Sequence, residues 1–283
     1  MHRHGHVADL VEEQGRPVGR LDAPHTIASV EQVSVNLNSE QTNNLLSKVS
    51  SVYQTQIQDI LLTALVQAFY TWTNSKSLWV DLETYGREDL FNQVDITRTV
   101  GWFTNIFPVE LDISKALSLG DSIRSIKEQL RQINNGGIDY GVAKYLNQDH
   151  PSEVQNLAQV PVKFNYLGQL KLTQENSVIL GLAIENDNLS SLTAGDRSHL
   201  LEINAFILDG EFKIHWIYSR NIHRREAINN LANNFIDRLV SLINHCMSPE
   251  KEKKYTPSDF SAAKLDGKQL NKLMKKLGKG KKK

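Results

Sequence analysis

The sequence predicts a layered α/β (α+β) protein in which helices flank a mixed β-sheet. Three observations carry that prediction. "LEINAFILDGEFKIHWIYS" (201–219) sets Asp209-Gly210 between two β-rich runs, the signature of a hairpin with a two-residue turn. Segments of helical period, above all 57–69 and 228–243, are interspersed with the strand-like runs. No period of 20–50 residues repeats, which excludes a solenoid.

The elements follow in chain order. Residues 1–26 hold His2, His4 and His6 and then Gly15, Pro17, Gly19 and Pro24 without an apolar period, and read as a flexible N-terminal segment. The three imidazoles could meet a divalent metal, but no downstream Cys/His set completes a four-ligand site. Val33, Val35 and Leu37 alternate with polar residues as in a half-buried strand. Asn38 or Ser39 can then cap a helix through Leu45, Leu46 and Val49. A stronger helix follows, with Ile57, Ile60, Leu61, Ala64, Leu65, Ala68 and Phe69 at helical spacing. "SLWVDLE" (77–83) reads as a buried strand ending in an acid, and "FPVEL" (107–111) as another strand. "SLGDSIRSIKEQLRQI" (118–133) is an amphipathic helix after a glycine turn, and "DYGVAKYL" (139–146) a shorter one. "VPVKFNYL" (160–167) is a strand, 171–200 is loop-rich, and a long helix spans 224–246 after the hairpin. One more short helix is expected at 264–277. The domain reading is a flexible segment 1–26, a folded body 27–249 and a basic linker or tail 250–283.

Composition narrows the function classes. Cys246 is the one cysteine, so no internal disulfide can form and a reducing, cytoplasmic setting is expected. No apolar run approaches the roughly 20 residues of a membrane span, and none resembles a signal peptide, so no membrane role is expected. Formal charge is zero overall but polarised. From Glu250 on there are 12 Lys against 4 acidic residues, a net of +8, which leaves −8 on the preceding residues. An acidic body whose tail lysines lack interleaved aromatics argues against nucleic-acid binding. No GxGxxG, Walker loop, GxSxG or HExxH motif is present.

What remains is a set of polar residues at strand ends. "DLETYGRED" packs Asp81, Glu83, Arg87, Glu88 and Asp89 into nine residues after an apolar strand. A carboxylate leaving a buried strand is partly desolvated, which suits it to acid/base work. Equally, Glu83 could pair with Arg87 or Arg98 as a structural ion pair. In "TRTVGWFTNIFPVEL" (97–111), Arg98 can grip a carboxylate through both nitrogens, Gly101 permits a tight path, and Trp102 and Phe103 supply large buried area. "FNYLGQ" (164–169) sets Asn165 and Tyr166 side by side before a glycine turn. Neighbours on a strand point to opposite faces, so they share a site only if the strand ends between them.

"DILLTA" (59–64), "ETYGRE" (83–88), "RTVGWFTNIFPVEL" (98–111), "GGIDYG" (136–141) and "FNYLGQ" (164–169), in this order and spacing, resemble the motifs of the condensation superfamily of nonribosomal peptide synthetases, epimerization branch. "YTPSDF" (255–260) resembles the segment that follows such domains, and the likeness spans about residues 27–265. The resemblance implies the C-terminal lobe of a two-lobed, V-shaped, chloramphenicol-acetyltransferase-like domain. It implies a carrier-bound aminoacyl or peptidyl thioester as substrate, presented on the phosphopantetheine arm of a peptidyl carrier protein, with no cofactor held by the chain itself. Glu83 would be one acid/base group, Asn165 and Tyr166 orienting or donating groups, and Arg98, Trp102 and Gln169 would support the site and its substrate.

Two departures stand out. The family's "EGHGRE" is "ETYGRE" here, with Thr84 and Tyr85 at the Gly and His positions. The HHxxxDG motif of the family's N-terminal lobe is absent. Before Asp209-Gly210 and Asp266-Gly267 the two histidine positions hold Asn204-Ala205 and Ser261-Ala262. The expectation is therefore a lobe that needs an N-terminal condensation lobe, or other synthetase modules, for turnover. A peptide-bond-forming fragment and a non-catalytic docking module, the latter acting through the lysines of 264–283, are the alternatives.

Overall fold

The computed structural model describes residues 30–87, 95–146, 160–170, 198–248, 255–263, 267, 269, 270, 272 and 273. The expected N-terminal segment, the loop-rich stretch up to 197 and most of the expected 264–277 helix lie outside them.

Among the described residues six strands make one sheet in the order β1-β6-β5-β4-β2-β3: β1 Val30–Asn36, β2 Ser77–Thr84, β3 Asn105–Asp112, β4 Val162–Leu170, β5 Leu201–Leu208 and β6 Glu211–Ser219. The sheet is mixed. β4 runs parallel to both β2 and β5, and the other pairs are antiparallel. The β5–β6 turn is the predicted one: Asp209 and Gly210 both take positive φ, 51° and 81°, which matches the twist of the two strands.

The helices are α1 Ser39–Asn44, α2 Ser50–Tyr53, α3 Ile57–Thr73, α4 Leu119–Arg131, α5 Ile138–Gly141 and α6 Arg225–Met247. Asn38 caps α1 reciprocally. Its side chain accepts from Gln41 N at 2.8 Å, and the Gln41 side chain accepts from Asn38 N at 3.2 Å. A π-helical turn, Leu45–Val49, joins α1 to α2. α3 is buried on nearly every side from Ile60 to Phe69, because it lies between the sheet and α6. The start of α3 holds Asp59 of the "DILLTA" stretch, 1% exposed, which takes Gln56 N at 2.7 Å and both terminal nitrogens of Arg131 at 2.8 and 3.1 Å. Burial pushes the Asp59 carboxyl up; the Gln56 amide and Arg131 pull the other way. This motif aspartate ties α3 to α4.

α4 begins at Leu119 with Ser118 as its cap, so Gly120 lies in its first turn and not in a preceding turn. The "YTPSDF" stretch, read as the start of a tail, is drawn onto the body. Lys127, 1% exposed, donates to Asp259 Oδ1 at 2.6 Å and to the Tyr53 carbonyl at 2.8 Å.

Alternation gives the sheet two unlike faces. Val33, Leu82, Phe107, Phe164, Ile203 and Trp216 face α3 and α6 in one apolar core. On the other face, in register across four strands, lie Asp81, Lys163, Glu202 and Ile217, and beside them Asn165, Asn204 and His215. Those polar side chains are half-buried, and that face carries the site.

Candidate functional site

The motif stretches meet at the C-terminal end of β2. The Gly136 carbonyl accepts from Thr84 Oγ1 at 3.3 Å and from Asn105 Nδ2 at 3.2 Å, which joins the "GGIDYG" loop to β2 and β3. Gly137 next to it has φ +82°, and a Cβ there would stand 2.1 Å from the Phe107 ring, so only glycine fits. Tyr85 reaches across and donates to the Leu167 carbonyl at 3.1 Å. The tyrosine at the family's histidine position therefore links "ETYGRE" to "FNYLGQ".

Glu83 leaves β2 on the polar face with 17% of its side chain exposed. Its ion-pair partner is Lys163, whose Nζ lies 3.6 Å from Glu83 Oε2 and 3.7 Å from Glu202 Oε2. The structure thus differs from the expected pairing of Glu83 with Arg87 or Arg98, because β4 brings a lysine alongside while Arg98 is exposed and Arg87 is engaged by the carbonyls of Ile96 and Thr99. Leu82 and Phe164 are the last pair of the β2–β4 ladder, so Glu83 and Asn165, the next residue on each strand, share the polar face. Tyr166 does not join them. The strand continues to Leu170, and Tyr166 packs against the apolar core. Burial, with Tyr85 nearby, raises its phenol. The pairing slips between Tyr166 and Gln169, a bulge in which Gly168 has φ +78°, and this sets Gln169 opposite Ile207, away from Asn165.

The aromatic segment behaves unlike its sequence reading. Trp102 is 90% exposed, and Arg98 is also exposed. The brace is Arg87: it donates to the carbonyls of Ile96 at 2.7 Å and Thr99 at 3.0 Å, and its guanidinium lies 4.2 Å from the Phe103 ring centre. Gly86, φ +62°, lets this path close, since a Cβ would fall 1.7 Å from the Phe103 carbonyl oxygen. Arg87 is the charge and Phe103 the aromatic that hold the loop.

Three further residues enter the polar face that sequence reading missed. Lys163 looks like any surface lysine on an alternating strand. His199 Nε2 lies 2.8 Å from Asp81 Oδ2, and its Nδ1 lies 2.9 Å from Ser198 Oγ, yet it belongs to a stretch without periodicity. Lys144 donates to the Tyr140 hydroxyl at 3.2 Å. Burial would lower the Lys144 ammonium, but Tyr140, Tyr145 and Asp81 outweigh it and the net shift is upward. Among the described residues no group of three or more His, Cys, Asp or Glu is placed to hold a metal, and no helix is long and apolar enough to cross a membrane. His2, His4 and His6 lie outside the described residues.

This arrangement is similar to known proteins at two levels. The chain is 39% identical over 264 residues to a linear gramicidin synthase of Brevibacillus parabrevis, covering 91% of this chain and 3% of that protein. It is 35% identical over 246 residues to gramicidin S synthase 1 of Brevibacillus brevis, covering 84% of this chain and 22% of that protein. The chain thus spans a small part of these relatives. Among solved structures, the epimerization domain from the third module of tyrocidine synthetase B superposes with a TM-score of 0.66 at 30% identity, over 85% of this chain and 55% of that one. The condensation domain of the Monacolin K polyketide synthase, at 14% identity and TM-score 0.53 over 85% of this chain and 52% of that one, shares the fold. The family described as Condensation domain matches residues 13–265, and the chain belongs to it.

Proposed function

We propose that the chain is the C-terminal lobe of an epimerization-type domain, which inverts Cα of an aminoacyl or peptidyl thioester held on the phosphopantetheine arm of a carrier protein. The observation that carries this reading is the placement of Glu83 on the polar face that also holds Asn165, 3.6 Å from Lys163. The likeness to an epimerization domain supports it further. A Cα proton next to a thioester is weakly acidic. Its removal needs a positioned base, a stabilised enolate oxygen and an acid on the opposite face. Glu83 would exchange the proton at one face, with Lys163 holding its carboxylate in place. Asn165, on the same face, would orient the thioester. The group for the other face would come from an HHxxxDG-bearing lobe, since this chain has no His-His pair.

The test is racemisation of a carrier-loaded aminoacyl thioester by the chain mixed with such a lobe. Turnover is expected in the mixture and not with either part alone, and Glu83→Gln should lower it by about 10²–10⁴-fold. Full turnover by the Glu83→Gln variant would overturn the proposal. Formation of a peptide bond in the same mixture, with the stereocentre retained, would favour the condensation reading instead.

A further inference from the structure

Lys163 presents a puzzle of allegiance. In the β2–β4 register it stands directly opposite Asp81, on a neighbouring strand about 4.8 Å away. Glu83 is two residues further along, about 6.6 Å down the strand on the same face. By register, the carboxylates flanking the Lys163 backbone are therefore Asp81 on β2 and Glu202 on β5, and Glu83 is the more distant. Yet its ammonium lies between Glu83 and Glu202, at 3.6 and 3.7 Å, and among the described residues no Lys163–Asp81 contact of ion-pair length exists.

Asp81 is already engaged. His199, 8% exposed and just ahead of β5, sets Nε2 at 2.8 Å from Asp81 Oδ2. A carboxylate can only accept, so Nε2 carries the proton and the imidazole is a committed donor to Asp81. Both side chains are largely shielded, Asp81 being 17% exposed, which strengthens the contact relative to one in water.

We propose that His199 is a positioning residue: by occupying Asp81, it assigns Lys163 to Glu83. Three carboxylates, Asp81, Glu83 and Glu202, share this face with Lys163, His199 and, near Asp81, Lys144. Without the imidazole, Asp81 is an unengaged and mostly buried carboxylate directly across from the lysine, and it draws the ammonium back along the strand. Glu83 then loses its partner. The significance for chemistry rests on the acid/base reading of Glu83; the pairing itself does not.

Carboxyl labelling of the folded protein by a water-soluble carbodiimide, read for Glu83 by peptide mass spectrometry, reports the pairing without turnover. It also separates this inference from the epimerization reading, because either can fail while the other stands. The two amide replacements of histidine dissect the contact. In His199→Asn the amide sits where Nδ1 was, so the Ser198 side is kept and the Asp81 side lost. In His199→Gln the amide reaches the Nε2 position and keeps the Asp81 side. The labelling rate of Glu83 is expected to rise about threefold or more in His199→Asn and to stay near wild type in His199→Gln. Adding Asp81→Asn to His199→Asn removes the competing carboxylate and should return Glu83 to the wild-type rate. Lys163→Ala sets the upper limit. If His199→Asn does not melt cooperatively, His199→Ala carries the same expectation and the same rescue by Asp81→Asn. An unchanged Glu83 rate in His199→Asn, or in His199→Ala where that variant stands in for it, as when Lys144 takes over Asp81, overturns the proposal. So does an elevated rate that Asp81→Asn fails to reverse.

Discussion

The clamp between Lys127 and Asp259 yields a sharp stability prediction. Lys127 is 1% exposed, so its ammonium is cut off from water and depends on two acceptors: Asp259 Oδ1 at 2.6 Å and the Tyr53 carbonyl at 2.8 Å. Asp259 Oδ2 meanwhile accepts from Thr256 N at 2.8 Å and from its hydroxyl at 3.2 Å. Asp259→Asn removes the countercharge, and whichever way the amide turns, one donor is left facing a donor. Breaking a buried pair from one side costs about 3–5 kcal/mol. The 14% exposure of the Asp259 side chain lets some water in, so the expected loss is about 2–4 kcal/mol. For a body of this size that is a fall of roughly 5–12 °C in Tm. Lys127→Met/Asp259→Asn removes the stranded charge along with its partner and should recover most of the loss. Urea unfolding and thermal melts of the three proteins decide the matter. An Asp259→Asn variant within about 0.5 kcal/mol of wild type, or a double variant no better than the single, would show that the ammonium was never dependent on this carboxylate.

Other expectations follow from local geometry. Burial holds the His223 imidazole down at about 4. The folded state then binds fewer protons than the unfolded one between about pH 6.5 and 4. Stability is full above pH 6.5 and falls as pH drops through this window, by at most about 3 kcal/mol; a pH series of melts should show the fall in wild type and its loss in His223→Gln. Gly86→Ala places a Cβ 1.7 Å from the Phe103 oxygen at φ +62°, so the loop braced by Arg87 must open, at a cost of about 2–4 kcal/mol and with faster proteolysis between 85 and 104. Tyr85→Phe removes one exposed hydrogen bond to Leu167 and should change stability by less than about 1 kcal/mol, measured by urea unfolding. Phe164→Ala, which truncates a fully buried side chain of β4, should cost about 3–5 kcal/mol in the same assay.

Those parts of the molecule whose cause is local were legible in the chain alone. Alternation marked the strands, the 3.6-residue period marked α3, α4 and α6, Asp209-Gly210 specified the hairpin, and Asn38 stood ready as a cap. Five ordered motifs pointed to the family. Which side chains meet is a matter of packing between distant segments. Parallel pairing of β2 with β4 brings Glu83 and Asn165 onto one face across some 80 residues of chain, and no spacing rule encodes such a register. The same pairing supplies Lys163, one residue ahead of "FNYLGQ", and the approach to β5 supplies His199, from a segment with no motif of its own. Large aromatics are usually buried, which made Trp102 look like core; its 90% exposure reflects where the chain path runs, and Arg87, not Arg98, happens to reach the carbonyls that need a donor. Strand continuity sends Tyr166 to the opposite face from Asn165, because alternation persists until the bulge two residues later interrupts it. Local preference names the elements; register between distant strands makes the site.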